Sequence, residues 1–492
     1  MVKLRTKTMR NIPYKPSIFT VSITTLASLI IVGYLISLTD NLPFFFVFLL
    51  TAIILTWFIA CLGVASLMYR LLLIPLKALH TYRTITLLLT SALLFCALIA
   101  VVTVKQLNTI SDNVGSSKEE LASLPYASWV PSQTTIQQTG VIKHDRQSSF
   151  PGINIYNSRH LNQAHLMDNG GKILHTWFVN EKDNDNWHHI EMLKTGELLA
   201  IVKYKRLTKI SWDSHVQWVS TLMFHHDLGV TENQDIYGLT GKEEFIFKNG
   251  IPFPVFMDYV VQLSPDGKIK KQFSLLKALR NKIRFKELLK IYPWITNPRH
   301  LKQLFVDRWE NDNPLDIFHA NSIEILDKDI AGVCKKGDLL ISIRNTNQIV
   351  IIDPQQEKTV WQWGENDLDG QHHPTLLENG NILVFDNGFR TRNYSRVLEV
   401  NPQTKKIEWE YKANPPQGFF SKSRGGNQRL PNGNTLITES DTGRVFEVTK
   451  DGSIVWEFYN PEMRNNNNER ATIYRMMRIV DFERYPKLKD LR

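Results

Sequence analysis

The sequence is poor in cysteine, with 3 in 492 residues, and none of them forms a CxxC pair or a Cys/His set at zinc-binding spacing. That excludes a small disulfide-built scaffold and a zinc-ribbon architecture. It also lacks a dominant charge, since 58 Lys and Arg face 48 Asp and Glu for a formal net charge of +10. On so long a chain that balance implies no nucleic-acid partner. With 25 Gly and 21 Pro, both are too few for a collagen-like or low-complexity chain. The length corresponds to roughly two to four domains.

What the chain has is apolar mass, unevenly placed. Residues 17–38 (SIFTVSITTLASLIIVGYLISL) carry no charge, and neither do 43–68 and 84–104. A helix over the first stretch would extend about 33 Å, enough for a hydrocarbon core of roughly 30 Å. The first run is too long for a cleaved signal peptide, and two more follow it. The expectation is a cytoplasmic tail (1–16) and a membrane domain (17–104) of three transmembrane helices. Lys3, Arg5, Lys7, Arg10 and Lys15 precede the first span, and Arg70, Lys77 and Arg83 lie between the second and third. The positive-inside rule places both flanks in the cytoplasm. Everything after Lys105 is then expected outside, on the far side of the membrane from the cytoplasm. Residues 105–150 read as a linker and the start of the external domain.

Beyond 150 the chain shows short β-type runs between turn signals. One unit is a strand, a Pro/Asp/Gly turn and a strand ending in Trp or Phe, as in IVIIDPQQEKTVWQW, VLEVNPQTKKIEWEY and VFEVTKDGSIVWEF. Trp361, Trp409 and Trp456 are 48 and 47 residues apart. A second unit has a polar start, an Asn-Gly-type turn and an apolar strand: HHIEMLKTGELLAI, HDLGVTENQDIYGL, HHPTLLENGNILVF and GGNQRLPNGNTLIT. Two hairpins per period is four strands per repeat, the pattern of a β-propeller blade. The expected fold is therefore all-β: a propeller of about six blades over 151–461, preceded by the three membrane helices. Residues 276–316 interrupt it with helical spacing and excess Lys and Arg, read as a side appendage or a basic lid. Residues 462–492 read as a C-terminal tail.

Aligned by their turns, His188, His226, His372 and Gly425 occupy one repeat position, and His319 opens a similar strand. Equivalent positions at the start of inner strands converge on a propeller axis, so several imidazoles meet in a small volume. Arg344 sits among Leu340, Ile341 and Ile343. Its guanidinium is either paired with an acid or presented to the channel, where a planar fork suits sulfate, phosphate or carboxylate oxygens. Asn321, two residues after His319, is a candidate neutral donor.

These motifs (AHLMDNGGKILHTW, HHDLGVTENQDIY, FHANSIEIL, LLISIRNTNQIVIID, GQHHPTLLENGNILVFDNG and RLPNGNTLITES) together resemble the bacterial arylsulfate sulfotransferase family over about residues 150–460. The resemblance implies a six-bladed propeller that moves a sulfuryl group from an aryl sulfate ester to a phenol without a nucleotide donor, and no cofactor. It maps the covalent histidine of the family's Gln-His motif onto His372. Further active-site histidines map onto His226 and His319, the arginine onto Arg344 and the asparagine onto Asn321. His373 and His225 adjoin two of these positions and stay open as alternatives. The types suit the chemistry. A neutral imidazole attacks sulfur, Arg344 and Asn321 stabilise the developing charge, and His226 or His319 moves the proton in both half-reactions. Two half-reactions at one nucleophile predict ping-pong kinetics. Three membrane spans and the insertion depart from the family and point to an envelope-associated hydroxyl acceptor.

Other readings remain. A non-catalytic binding or assembly platform at the cell envelope would tolerate loss of these side chains. A quinone-dependent dehydrogenase fits the Trp-ending strands but lacks the adjacent Cys pair many such enzymes use. A metal site could use His188, His226, His319 and His372, against the nearby Arg344.

Overall fold

The computed structural model describes residues 129–131, 138–179, 186–280, 315–489 and 491, with positions 283, 288, 289 and 291 between them. The three expected membrane spans (17–38, 43–68 and 84–104) and most of the insertion at 276–316 lie outside the described residues. Among the described residues, no helix is long and apolar enough to cross a membrane. All described residues belong to one compact unit, Ser116–Leu301 with Arg308–Arg492.

Among the described residues this unit holds six sheets with a four-stranded antiparallel core, each read in simple meander order. Blade two runs from His189–Met192 to Val216–Ser220, and blade three from Phe224–Val230 to Ile269–Ser274. Blade four runs from Ala320–Ile325 to Lys358–Trp363, blade five from His372–Leu376 to Ile407–Tyr411, and blade six from Gly426–Arg429 to Ile454–Tyr459. Blade one is assembled from both ends of the domain: Ile473–Ile479 is its first strand, followed by Ile153–Ser158, Gln163–Asp168 and Ile173–Phe178. The first strands touch in succession from blade two through blade six to blade one, and blade one touches blade two, closing the ring. The fold is propeller-like and all-β.

One boundary differs from the sequence expectation. The stretch read as a C-terminal tail supplies the inner strand of blade one, because the blade that begins at Ile153 otherwise lacks one. Within the segment read as a linker and the start of the external domain, Gly140–His144 pairs with Ile454–Tyr459 as a fifth strand on blade six. Each sheet is apolar on both faces, so the core is distributed between blades rather than held in one centre. Between blades five and six, for example, Leu383, Phe385 and Val397 pack with Ile437, Phe446 and Val448.

The repeated tryptophans explain the period. Each closes the fourth strand of its blade, and its indole N–H donates to the turn between the third and fourth strands of the next blade. Trp218 bonds Pro265 O at 3.1 Å, Trp361 Pro402 O at 2.9 Å, Trp409 Lys450 O at 2.9 Å and Trp456 Asn169 O at 2.8 Å. The repeat supplies a turn carbonyl to each indole N–H, which matters most for Trp361 and Trp456, the two that are buried. Blade one uses His175 Nε2 on Trp212 O at 3.1 Å, and blade three uses Lys271 Nζ on Pro354 O at 2.6 Å.

Candidate active site

The first strands do not run straight. Their pairing with the second strands shifts between His225 and Leu228, Ala320 and Ser322, and His372 and Thr375. At these bulges His226, His319 and His373 take positive φ values of 56°, 49° and 47°. A non-glycine residue there is uncommon and is held by its surroundings. The effect is to turn side chains inward that a regular pleat would send elsewhere. In blade six the position is Gly425, where a Cβ would lie 2.4 Å from the Phe385 ring. No side chain fits, so the ring of imidazoles stops there.

The structure brings the expected residues together. The His226 ring lies 4.7 Å from His319 and 5.3 Å from His188, and His188 lies 4.3 Å from Tyr474. His372 and His319 are close enough to Arg344 for its charge to act on both. His188, His226, His319, His372, Arg344 and Asn321 are all buried.

The hydrogen bonds settle which ring nitrogen of His372 carries its proton. Asn387 Nδ2 donates to Ser421 O at 2.7 Å and Arg424 O at 2.8 Å, so Asn387 turns its oxygen to the ring. His372 Nδ1 faces that oxygen at 2.8 Å and Gly370 O at 3.1 Å, both acceptors. The proton is therefore on Nδ1 and the lone pair on Nε2. Burial, then the Arg344 charge, holds the His372 pKa well below the ordinary imidazole value, so the ring stays neutral.

His373 faces elsewhere. Its Nδ1 accepts the Asn427 N–H at 3.2 Å, and it is held well below the ordinary imidazole value by burial and then by Arg475, with Asp227, His189 and His372 also acting on it. Asp227 accepts two bonds from Arg475 at 3.1 and 3.2 Å and one from Ile323 N at 3.2 Å, and it faces His189 at 3.0 Å. This second cluster ties the first strands of blades one to four together. Beside it burial raises the carboxyls of Glu191 and Glu324 to about 7 and about 8.

Arg344 lies just past the strand Leu339–Ile343 and is fully buried. One guanidinium face rests 4.4 Å from the Phe389 ring centroid, and Nη1 donates to Asn345 Oδ1 at 3.1 Å. Nε and Nη2 are buried with no hydrogen-bond partner, and among the described residues no acid pairs with it. Of the two sequence readings, pairing with an acid is not observed among the described residues, and the guanidinium is buried with two of its nitrogens unpartnered. Asn321 Nδ2 donates one N–H to Gln371 O at 2.9 Å, tying blade four to the residue before His372. The Asn321 side-chain oxygen is buried without a partner.

Each proton-moving candidate has support that sequence reasoning missed. Asp316 accepts from His319 at both the backbone N–H (2.9 Å) and Nδ1. Burial outweighs that carboxylate and brings His319 to about 4. His226 Nδ1 lies 3.0 Å from His225 Nδ1, and His225 Nε2 lies 3.2 Å from Asp258 Oδ1. Signals for these partners were present: Asp258 is the one charge in the strand IPFPVFMDYVVQL, and Asp316 lies three residues before His319. Among the described residues no group of three or more His, Cys, Asp or Glu is arranged to hold a metal ion.

The comparison of sequences decides the family at this point. The signature described as Arylsulfotransferase (ASST) matches residues 194–461, more than half of the chain. The chain belongs to the arylsulfotransferase family. The matched span begins in blade two and ends after blade six, so it contains His226, His319, Asn321, Arg344 and His372. No curated protein matches the sequence. Among solved structures, a protein of unknown function from Bacteroides caccae is 12% identical with a TM-score of 0.44, covering 68% of this chain and 100% of its own. A catalytically inactive virginiamycin B lyase from Staphylococcus aureus with quinupristin is 12% identical at TM-score 0.38 (66% and 89%). Apo AztD from Citrobacter koseri is 8% identical at TM-score 0.35 (67% and 98%). At these values none bears on the reaction.

The buried neutral imidazoles make a prediction about stability. His188, His189, His226, His319, His372 and His373 all have pKa values lowered chiefly by burial. Below the unfolded value of about 6.5 the unfolded chain binds protons that the folded one refuses, so stability falls as pH drops. Thermal unfolding at pH 7 and pH 5 should show a clearly lower midpoint at pH 5. The raised carboxyls of Glu191 and Glu324 act in the opposite sense, taking up protons in the folded state over this range, and six rings outnumber them. An unchanged midpoint would mean that the rings do not dominate.

Proposed function

We propose that the protein transfers a sulfuryl group from an aryl sulfate ester to a phenolic or envelope-associated hydroxyl acceptor, by a ping-pong route through a sulfated His372. We place it in the bacterial cytoplasmic membrane by three spans, with the propeller-like domain on the external face. The observation that carries the reaction is the pairing of a fixed Nε2 lone pair on His372 with a buried guanidinium whose Nε–H and one Nη2 amine have no partner. An ester sulfate has three equatorial oxygens that can accept from those donors, and binding it there offsets the cost of burying them unpaired.

In the first half-reaction the Nε2 lone pair attacks sulfur, the bond to the aryl oxygen breaks, and its electron pair leaves with that oxygen. Positive charge develops on the His372 ring, where Asn387 Oδ1 and Gly370 O already accept from Nδ1–H. Charge on the sulfuryl oxygens meets Arg344. His226 or His319 supplies a proton to the leaving oxygen. In the second half-reaction the same imidazole takes the acceptor's proton as its oxygen attacks sulfur, and the N–S electron pair returns to His372.

Arg344→Met removes both unpaired donors and the charge while keeping most of the stem that lies on Phe389. The expected loss in kcat/KM is on the order of 10²–10³-fold or more with a nitrophenyl sulfate donor, measured by phenol release. Activity near that of the unaltered protein would remove Arg344 from the reaction.

A further inference from the structure

The two imidazoles that could move the proton are supported differently, and the difference gives them different jobs. His319 is backed directly by Asp316. His226 is backed by another ring, with one proton shared between two Nδ1 atoms 3.0 Å apart, and that ring is backed by Asp258. Asp258 is itself oriented, since its Oδ2 accepts the Ala320 N–H at 2.9 Å and its Oδ1 is the oxygen facing His225.

We propose that Asp258, His225 and His226 form a proton relay that makes His226 Nε2 the acid and base of the sulfuryl transfer without creating a buried imidazolium. This rests on the reaction proposed above.

The relay has two states that differ by one proton. In the first, Asp258 is ionised, His225 carries its proton on Nε2 and His226 on Nδ1, so His226 Nε2 has a lone pair and is a base. When the acceptor's proton arrives at His226 Nε2, the Nδ1 proton passes to His225 Nδ1, and the His225 Nε2 proton passes to Asp258. In that second state both rings are still neutral, and His226 Nε2–H is an acid. Protonating the leaving aryl oxygen reverses each shift. In the first half-reaction the N–S bond forms, the S–O bond breaks and one proton leaves the relay as the phenol. In the second the acceptor's proton returns to the relay, the new S–O bond forms and the N–S bond breaks.

The surroundings favour this over a simple imidazolium. His226 faces His188, His319 and the positive charge of Lys203, and burial with these neighbours holds it far below the ordinary histidine value. Asp258 faces His225 and the second carboxyl of Asp316, and burial raises it. The proton is thus better stored as a neutral carboxylic acid at Asp258 than as a cation at His226. His225 Nε2 and Asp258 Oδ1 lie 3.2 Å apart without being aligned as a hydrogen bond, so a small turn of the His225 ring as substrate tightens the site completes the relay. His225 and Asp258 act through His226 and are positioning residues.

Asp258→Asn tests the relay because the Ala320 N–H dictates how the new amide sits. Its oxygen must keep that bond, so its NH₂ faces His225 Nε2 and donates. His225 then carries its proton on Nδ1 and His226 on Nε2, and the amide can neither take nor give a proton. His226 is locked with Nε2–H and moves none. With a nitrophenyl sulfate, whose phenolate leaves without help, the variant should still release phenol in a burst of about one per site and add a sulfuryl mass to the His372 peptide. Turnover with a neutral phenol acceptor should fall on the order of 10²–10⁴-fold. Unsubstituted phenyl sulfate, a poorer leaving group, should lose its burst as well. Turnover like the parent's, or an equal loss of the nitrophenyl burst and turnover in folded protein, would overturn the relay. Burst amplitude counts competent sites, so a folding defect is read directly. If the unaltered protein forms no adduct and no phenol, the sulfuryl-transfer reading fails and the relay with it.

Discussion

His372→Ala is expected to abolish sulfuryl transfer, with no adduct on the 370–376 peptide and kcat lower by about 10⁴-fold or more. The neighbouring His373→Ala is expected to keep both the adduct and most of the rate. The two rings are adjacent in sequence and opposite in environment. His372 Nδ1–H is held by Asn387 Oδ1 and Gly370 O, which leaves Nε2 for the sulfur. His373 Nδ1 accepts the Asn427 N–H, and the His373 carbonyl accepts from Asn427 Nδ2 at 2.9 Å. Its loss strands a buried N–H and costs about 1–3 kcal/mol of stability, read as a lower unfolding midpoint. Mass spectrometry after mixing with an aryl sulfate separates the cases. An adduct surviving in the His372 variant and missing in the His373 variant would reverse the assignment.

Deleting residues 473–492 is expected to prevent the propeller-like domain from folding. The segment reads as a polar, basic tail, yet Ile473, Tyr474 and Met476 are each no more than 2% exposed. Burial of a large apolar side chain contributes roughly 1.5–3 kcal/mol, so a few of them approach the 5–15 kcal/mol that holds a domain together. Arg475 also carries the ion pair to Asp227, and Arg478 the one to Glu447, both buried. Removing either cation leaves an uncompensated carboxylate inside. The deletion also opens the ring, exposing the edge of Ile153–Ser158, which pairs with the missing strand. Circular dichroism and size exclusion should show an unfolded or aggregated chain. A cooperative unfolding transition close to the parent's would mean that the ring closes without this strand.

Much of the candidate site is legible in the sequence alone. His226 and His372 share an offset from their turns, and Arg344 stands out as a charge directly after an apolar run. What the sequence hides is the partners. Asn387 lies 15 residues from His372, and Asp258 lies 62 residues from Ala320, whose N–H orients it. Their spacing follows no period, because a partner need only reach the same point from another strand or blade. The choice between His372 and His373 is equally hidden, since a bulge decides which of two adjacent rings faces Arg344.

The sequence by itself determined the repeat: the alternation of apolar strands and turns, and the tryptophan that closes each of several blades. Those are local requirements, met wherever a four-stranded sheet must be covered by the next. Tertiary structure decided how the ring closes, with a strand from beyond residue 472 seated against one that begins at Ile153. It also decided which nitrogen of each histidine holds a proton. Both depend on contacts between residues hundreds of positions apart, or on acceptors from a neighbouring strand, where no local pattern records the pairing.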